Sequence, residues 1–202
     1  MLPFQETEKL IKKYRIPIPR QKLVESLEEA KKFSEKLYPV VMKVYSSKII
    51  HKTDVGGIIV DIRNEEELTE AFKKLMKIKN AEGVIIQKYV RGIETIIGGI
   101  TDEHFGPCVS FGTGGIFTEI LNDIEFRVCP ITKKDARKMI EESRIYRILS
   151  GYRGKKYDIN PIVDILLKVA KMIEKEHIKA MDINPIIVEE KKVWAVDVRI
   201  IK

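Results

Sequence analysis

The chain has 202 residues, 37 Lys and Arg against 30 Asp and Glu, a formal net charge of +7, and two cysteines. That length holds one large domain or two small ones around a real core. No apolar run approaches the roughly 18 residues that would span a bilayer. Cys108 and Cys129 give neither a disulfide framework nor a metal spacing. The basic residues are scattered through every segment, which favours anionic small molecules over a nucleic-acid surface. Charges interrupt MLPFQETEKL where a signal peptide has its apolar core, so the expectation is a cytoplasmic protein without membrane or nucleic-acid partners.

The spacing of Leu10, Ile11 and Tyr14 predicts a helix over 5–14, ended by Pro17 and Pro19, which start an extended segment. Ser26 with Glu29 reads as a capping box for a helix to Leu37. Val40, Val41, Met42 and Val44 form a short buried strand, and Ile58–Ile62 the next. Asn64 with Glu67 starts a helix to about Lys79. EGVIIQKYV and IETIIGGIT are two more strands. Six of the 12 glycines fall between Gly98 and Gly115, and FGPCVSFGTGGIFTEIL reads as a strand, a tight glycine loop and a new element. IEFRVCPI is a strand carrying Arg127, and Thr132 caps a helix to Ser143. Asp158 caps the strongest helix, over 158–176, with Ile162, Ile165, Leu166, Val169, Ala170 and Ile173 in one stripe. Two alternating strands around a polar turn close the chain. The whole reads as one α/β unit, 1–202, with lobes at 1–86 and 87–202 and a hinge near Gln87–Val90.

Three segments carry chemistry. KVYSSKIIHKTDVGG holds Lys43, Lys48, Lys52, His51 and the Gly56–Gly57 pair between two strands. Lysines and exposed backbone N–H groups suit a polyphosphate, and a neutral imidazole can accept a phosphoryl group. A loop histidine with a local hydrogen bond is the blander alternative, and it suits His104 and His177. In the C-terminal hairpin, a turn centred between Glu190 and Lys191 puts Asn184 directly opposite Asp197, with Asp182 on the same face. Three oxygen-bearing side chains there suit Mg²⁺; an ordinary solvent-facing strand face fits the pattern equally well. Glu94 can accept ribose hydroxyls or be a solvated charge, and Gly112, Gly114 and Gly115 can meet a phosphate or simply turn the chain.

These residues resemble the ATP-grasp β subunit of ADP-forming acetyl-CoA synthetase, in the acyl-CoA synthetase family related to succinyl-CoA synthetase. The matching stretches are YPVVMKVYSSKIIHKTDVGGI, EGVIIQKYVRGIE, FGPCVSFGTGGIFTEILNDIEFRVCPIT, GYRG, MDINPIIV and VWAVDVRI. The resemblance implies an α/β ATP-grasp fold with two lobes enclosing a nucleotide cleft. It implies an acetate–CoA ligase subunit that makes ATP from acetyl-CoA, ADP and phosphate, with a CoA-binding α subunit as partner in an α2β2 assembly. His51 would carry the phosphoryl group and Asp182 would support its ring. Asn184 and Asp197 would hold Mg²⁺. Lys43 would meet ATP or ADP phosphates, Gln87, Lys88, Tyr89 and Val90 the adenine, and Glu94 the ribose. Gly112, Gly114, Gly115 and Arg127 would cradle or neutralise phosphate, and the His51 loop would move about Gly56–Gly57. Lys88 and Thr113 depart from the family pattern, which has an acidic and an apolar residue there. The alternatives are a β subunit for a succinyl, branched or aryl acid, or a nucleotide-sensing domain without turnover.

Overall fold

The computed structural model describes residues 1–49, 52–115 and 123–202, and Arg153 by its backbone only. The chain divides into two units, Pro19–Val90 and the pair Met1–Ile18 with Arg91–Lys202. This differs from a split into 1–86 and 87–202. The first 18 residues belong with the C-terminal unit, and Gln87–Val90 close the other one. Helix α1 (Phe4–Lys13) explains the first difference. Its Leu10 and Ile11 are buried in the larger unit's core, and Leu2 N–H donates to Ile200 O at 2.8 Å.

The smaller unit runs β1 (Gln21–Val24), α2 (Leu27–Ser34), β2 (Val40–Tyr45), β3 (Ile58–Ile62), α3 (Glu65–Met76) and β4 (Gly83–Lys88). Its sheet has the order β1-β4-β2-β3. The segment expected only to be extended is a strand, with Gln21 opposite Gln87. Asn64 caps α3 by accepting the Glu67 N–H at 2.8 Å. At α2 the box is half made: Ser26 accepts the Glu29 N–H, but the Glu29 carboxylate reaches Glu25 N–H instead. Both helices stop short of the expected ends at Leu37 and Lys79. Pro39 bars the residue before it from the helical region, and Asn80 adopts a left-handed φ of 67° that ends the turn after α3. Leu68, Ala71, Phe72 and Leu75 pack against Val40, Met42, Val44, Val84 and Ile86. By alternation, Val41, Lys43, Ile85 and Gln87 occupy the sheet's other face.

The larger unit continues with β5 (Ile93–Asp102), β6 (Gly106–Thr113), β7 (Ile124–Val128), α4 (Lys133–Glu142), the short α5 (Tyr146–Leu149), a 3-10 turn at Tyr152–Gly154, α6 (Asn160–Glu176), β8 (Ala180–Val188), β9 (Val193–Ala195) and β10 (Val198–Ile201). The sheet order is β10-β8-β5-β6-β7, with β9 also paired to β8. The element expected after the glycine loop lies outside the described residues. Thr132 and Asp135 form a full capping box at α4. Asp158 sits two residues ahead of α6 and accepts the Asn160 N–H at 2.9 Å, rather than capping a helix from 158. The α6 stripe is buried as the periodicity requires, against Ile97, Val109, Phe111 and Ile183.

Candidate functional site

The C-terminal hairpin holds the expected register. Ile187 faces Trp194 and Val188 faces Val193 across β8 and β9, with the turn closed by Glu189 N–H on Lys192 O at 2.8 Å. The same alignment continues into β10, where Asp182 faces Arg199 and Ile183 faces Val198. Between these ladders, Asn184 N–H donates to Asp197 O at 3.0 Å, and Val196 N–H to Pro185 O at 3.1 Å. Asn184 and Asp197 are therefore directly opposed.

Met181 and Ile183 turn into the core against α6. Asp182 is half-buried on the other face, where its cross-strand neighbours are Arg199 and Gly98. Burial pushes the Asp182 carboxyl up from its ordinary value; Arg199 draws it back down and Asp197 pushes it further up. Arg199 also stands 3.9 Å from Asp197. Two carboxylates thus share one guanidinium on a single strand face. Arg199 was missed in the sequence, although the alternation of Asp197-Val198-Arg199 puts it beside the candidate ligands. Among the described residues no three His, Cys, Asp or Glu side chains converge as a metal site. The donor set fits Mg²⁺ nonetheless. That ion takes one or two carboxylates, an amide oxygen and waters, and completes its shell with substrate phosphates.

Glu94 lies on β5, on the same face as Gly98 by alternation. Gly115 has a φ of +67°, which favours glycine, and a Cβ there would lie 2.2 Å from Glu94 Oε2, so any side chain would push that carboxylate aside. Gly114 N–H donates to Glu94 O at 3.1 Å. The glycine loop and Glu94 are therefore brought together. Arg127 is not brought to them. Its strand partner Val109 faces the helices, and the guanidinium pairs with Glu142 of α4 and, at 3.6 Å, with Glu125. A phosphate role for Arg127 does not fit that commitment. Thr113 has a use for its hydroxyl, which donates to Asp123 Oδ2 at 2.6 Å. Asp123, another residue missed in the sequence, is 6% exposed.

In the smaller unit Lys43 is 4% exposed, and its Nζ donates to Gln87 Oε1 at 3.0 Å. Gln87 Nε2 passes the chain to Gln21 Oε1 at 2.7 Å. Lys88 points to the helix side of the sheet, where its Nζ donates to the carbonyls of Leu37 and Tyr38 at 2.8 and 2.9 Å. Its side chain therefore serves the α2–β2 loop, not an adenine. The N–H groups of Lys88 and Tyr89 are held by Arg20 O and Pro39 O. Val90 is half-buried at the end of the unit. His51 lies outside the described residues. After it, Gly57 is packed rather than loose: a Cβ there would sit 2.5 Å from Val44 Cγ1, and its N–H donates to Lys52 O at 2.7 Å. Gly56, by contrast, has a φ of +63° and open space where a Cβ would lie.

A four-stranded and a larger antiparallel sheet, each backed by helices, with carboxylate and amide oxygens on one hairpin face and a buried strand lysine, define the ATP-grasp class. The chain matches the ATP-grasp domain family over residues 1–201 and belongs to it. It is 47% identical to the β subunit of acetate–CoA ligase (ADP-forming) I from Pyrococcus furiosus, over 97% of this chain and 89% of that one. It is 42% identical to acetate–CoA ligase (ADP-forming) II from Archaeoglobus fulgidus, where it covers 97% of this chain and 29% of that longer protein. Among solved structures it is similar to acetyl-coenzyme A synthetase 1 of Ca. Korarchaeum cryptofilum in complex with coenzyme A and Ca-AMPCP. The TM-score is 0.91 at 39% identity, over 98% of this chain and 91% of that one. The same Korarchaeum protein in complex with coenzyme A and Mg-AMPPCP has its phosphohistidine segment pointing towards the nucleotide binding site, and matches with a TM-score of 0.86 at 39% identity, over 99% and 92% of the two chains.

Proposed function

We propose that this chain is the β subunit of an ADP-forming acetate–CoA ligase, which moves a phosphoryl group from a CoA-binding partner subunit to ADP. The observation that carries the reading is the opposition of Asn184 and Asp197, with Asp182 on the same face, in a chain 47% identical to such a subunit. Asn184 and Asp197 would hold Mg²⁺, which when bound neutralises the nucleotide phosphates. Lys43 offers a buried cation to nucleotide phosphate, and Gln87 orients its ammonium. Glu94 accepts ribose hydroxyls, and the loop of Gly112, Gly114 and Gly115, free of side chains, lets phosphate oxygens approach its backbone.

His51 is the proposed carrier. The partner forms an acyl phosphate and passes its phosphoryl group to a first histidine of its own; the neutral His51 imidazole then attacks that phosphorus, a new P–N bond forms, the partner's P–N bond breaks, and the partner's imidazole leaves. The terminal oxygen of ADP then attacks the same phosphorus and the P–N bond breaks, returning the imidazole. Asp182 accepts the ring N–H and offsets positive charge on the phosphorylated ring. The partner would be an α subunit in an α2β2 assembly, working in the cytoplasm.

Reconstitution tests this. With a CoA-binding α subunit the chain makes ATP from acetyl-CoA, ADP and phosphate; alone it makes none. Full activity of the isolated chain, or none with a competent partner, overturns the reading.

A further inference from the structure

We infer that Asp123 and Thr113 are positioning residues for the nucleotide, acting by holding Gly114 and Gly115 against Glu94; this rests on the nucleotide-binding reading above. Thr113 ends β6 and Asp123 immediately precedes β7. The two residues are joined twice: Thr113 N–H donates to Asp123 O at 3.2 Å, and the Thr113 hydroxyl donates to Asp123 Oδ2 at 2.6 Å. The approach is close enough to exclude any side chain at Gly112, whose Cβ would lie 2.0 Å from Asp123 O.

The Asp123 carboxylate is fixed from its far side as well. Arg144 N–H donates to Oδ1 at 2.9 Å and to Oδ2 at 3.1 Å, and Ile145 N–H donates to Oδ2 at 3.3 Å. Those two amides belong to the junction between α4 and α5, where α4 has ended and its following N–H groups point outward. A buried carboxylate with this many donors is held in one place, because each lone pair it turns away from would be left without water. Thr113 is therefore tied to the helical layer.

The next two residues make the contact that matters. Gly114 N–H donates to Glu94 O, and a Cβ on Gly114 would lie 2.7 Å from the Thr95 backbone. Gly115 stands directly on the Glu94 carboxylate. The path runs from the α4–α5 junction through Asp123 and Thr113 to the glycine pair and then to Glu94. Asp123 touches no ligand in this scheme. It sets the spacing between the glycine backbone offered to phosphate and the carboxylate offered to ribose.

The test uses the assembled enzyme and Mg·ADP. Thr113→Val keeps the shape and removes the hydroxyl; Thr113→Ser keeps the hydroxyl. Thr113→Val should raise the ADP Kd and KM roughly tenfold, the scale of one lost charge-assisted hydrogen bond, with kcat changed less than about twofold. Thr113→Ser should restore both. Asp123→Asn, which keeps an acceptor for one set of donors, should lie between. An unchanged ADP Kd in Thr113→Val, a fall in kcat alone, or failure of Thr113→Ser to restore binding would each overturn the inference. If the wild-type chain does not bind Mg·ADP, the parent reading fails and this one with it; wild-type binding with an indifferent valine variant sinks only this one.

Discussion

Asn184 donates its backbone N–H to the Asp197 carbonyl at 3.0 Å, so the two side chains leave neighbouring strands at the same level. Opposed residues have Cβ atoms about 4.5–5.5 Å apart, a span that one hard cation bridges. The register that produces this begins at the Glu189–Lys192 turn and survives the break between β9 and β10.

Asn184→Ala and Asp197→Ala are each expected to weaken Mg·ADP binding about tenfold or more, as loss of a metal contact does. Melting temperatures should move by less than about 4 °C, because neither side chain is part of the apolar core. Calorimetric titration with ADP, with and without Mg²⁺, checks this. If both variants bind Mg·ADP like the parent, the hairpin is not the metal site.

That register was legible because β-strand alternation has a period of two and the polar turn has an even length. Thr132 with Asp135, and the stripe on α6, were legible for the same kind of local reason. Arg127 was not. Ile124, Phe126 and Val128 alternate with Glu125 and Arg127, which suggests an apolar inner face. The strand sits the other way: Phe126 and Val128 are 57% and 51% exposed, and Arg127 lies against Glu142 of α4. A charged partner on a neighbouring helix decides the face, and no local pattern reveals it. The Lys88 side-chain partners, Leu37 and Tyr38, likewise come from a distant loop. Asp123 gave no signal, because its donors Thr113, Arg144 and Ile145 meet only in the folded unit.

Lys43 is expected to act on the nucleotide from a fixed position. Its ammonium is held by Gln87, which is itself held by Gln21. Lys43→Met keeps the stem and removes the charge. ADP should then raise the melting temperature by clearly less than in the wild type, corresponding to roughly tenfold weaker binding. Lys43→Arg should not restore it, since a planar fork does not replace a compact ammonium at a site 4% exposed. An undiminished ADP-induced shift in Lys43→Met would remove Lys43 from the phosphate site.

Tyr14 clasps α1 to the end of α6 through its hydroxyl, which donates to Glu176 Oε1 at 2.9 Å. Burial and the neighbouring Glu176 carboxylate raise its pKa from 10.0 to about 12. Below pH 10 both folded and unfolded chains keep the proton, and the hydrogen bond contributes about 1 kcal/mol. Between pH 10 and about 12 the unfolded chain releases the proton and the folded one keeps it, so stability falls as pH rises. Tyr14→Phe lacks this titration. Its deficit relative to wild type should therefore shrink across that window in urea melts. A deficit that stays constant with pH would mean that Tyr14 titrates alike in both states.

His51 and Asp182 carry the last expectation. A phosphoryl group on an imidazole is acid-labile and alkali-stable, unlike a phosphoserine. Labelling of this chain by radioactive ATP, or by phosphate and acetyl-CoA through the partner, should show that pattern. Attack needs the neutral ring, so labelling should fall as pH drops below about 6.5. His51→Ala should abolish labelling and ATP formation while ADP binding stays near the parent value, because Lys43, Asn184 and Asp197 remain. Asp182→Asn should slow both half-reactions without removing the carrier. It keeps an oxygen for the ring N–H and loses the charge that balances the phosphorylated ring. The same change removes a carboxylate whose ionisation burial disfavours, so the ligand-free variant should melt no lower than the parent at pH 7. Equal labelling of wild type and His51→Ala would place the phosphate on another residue and leave this chain as a nucleotide-binding subunit only.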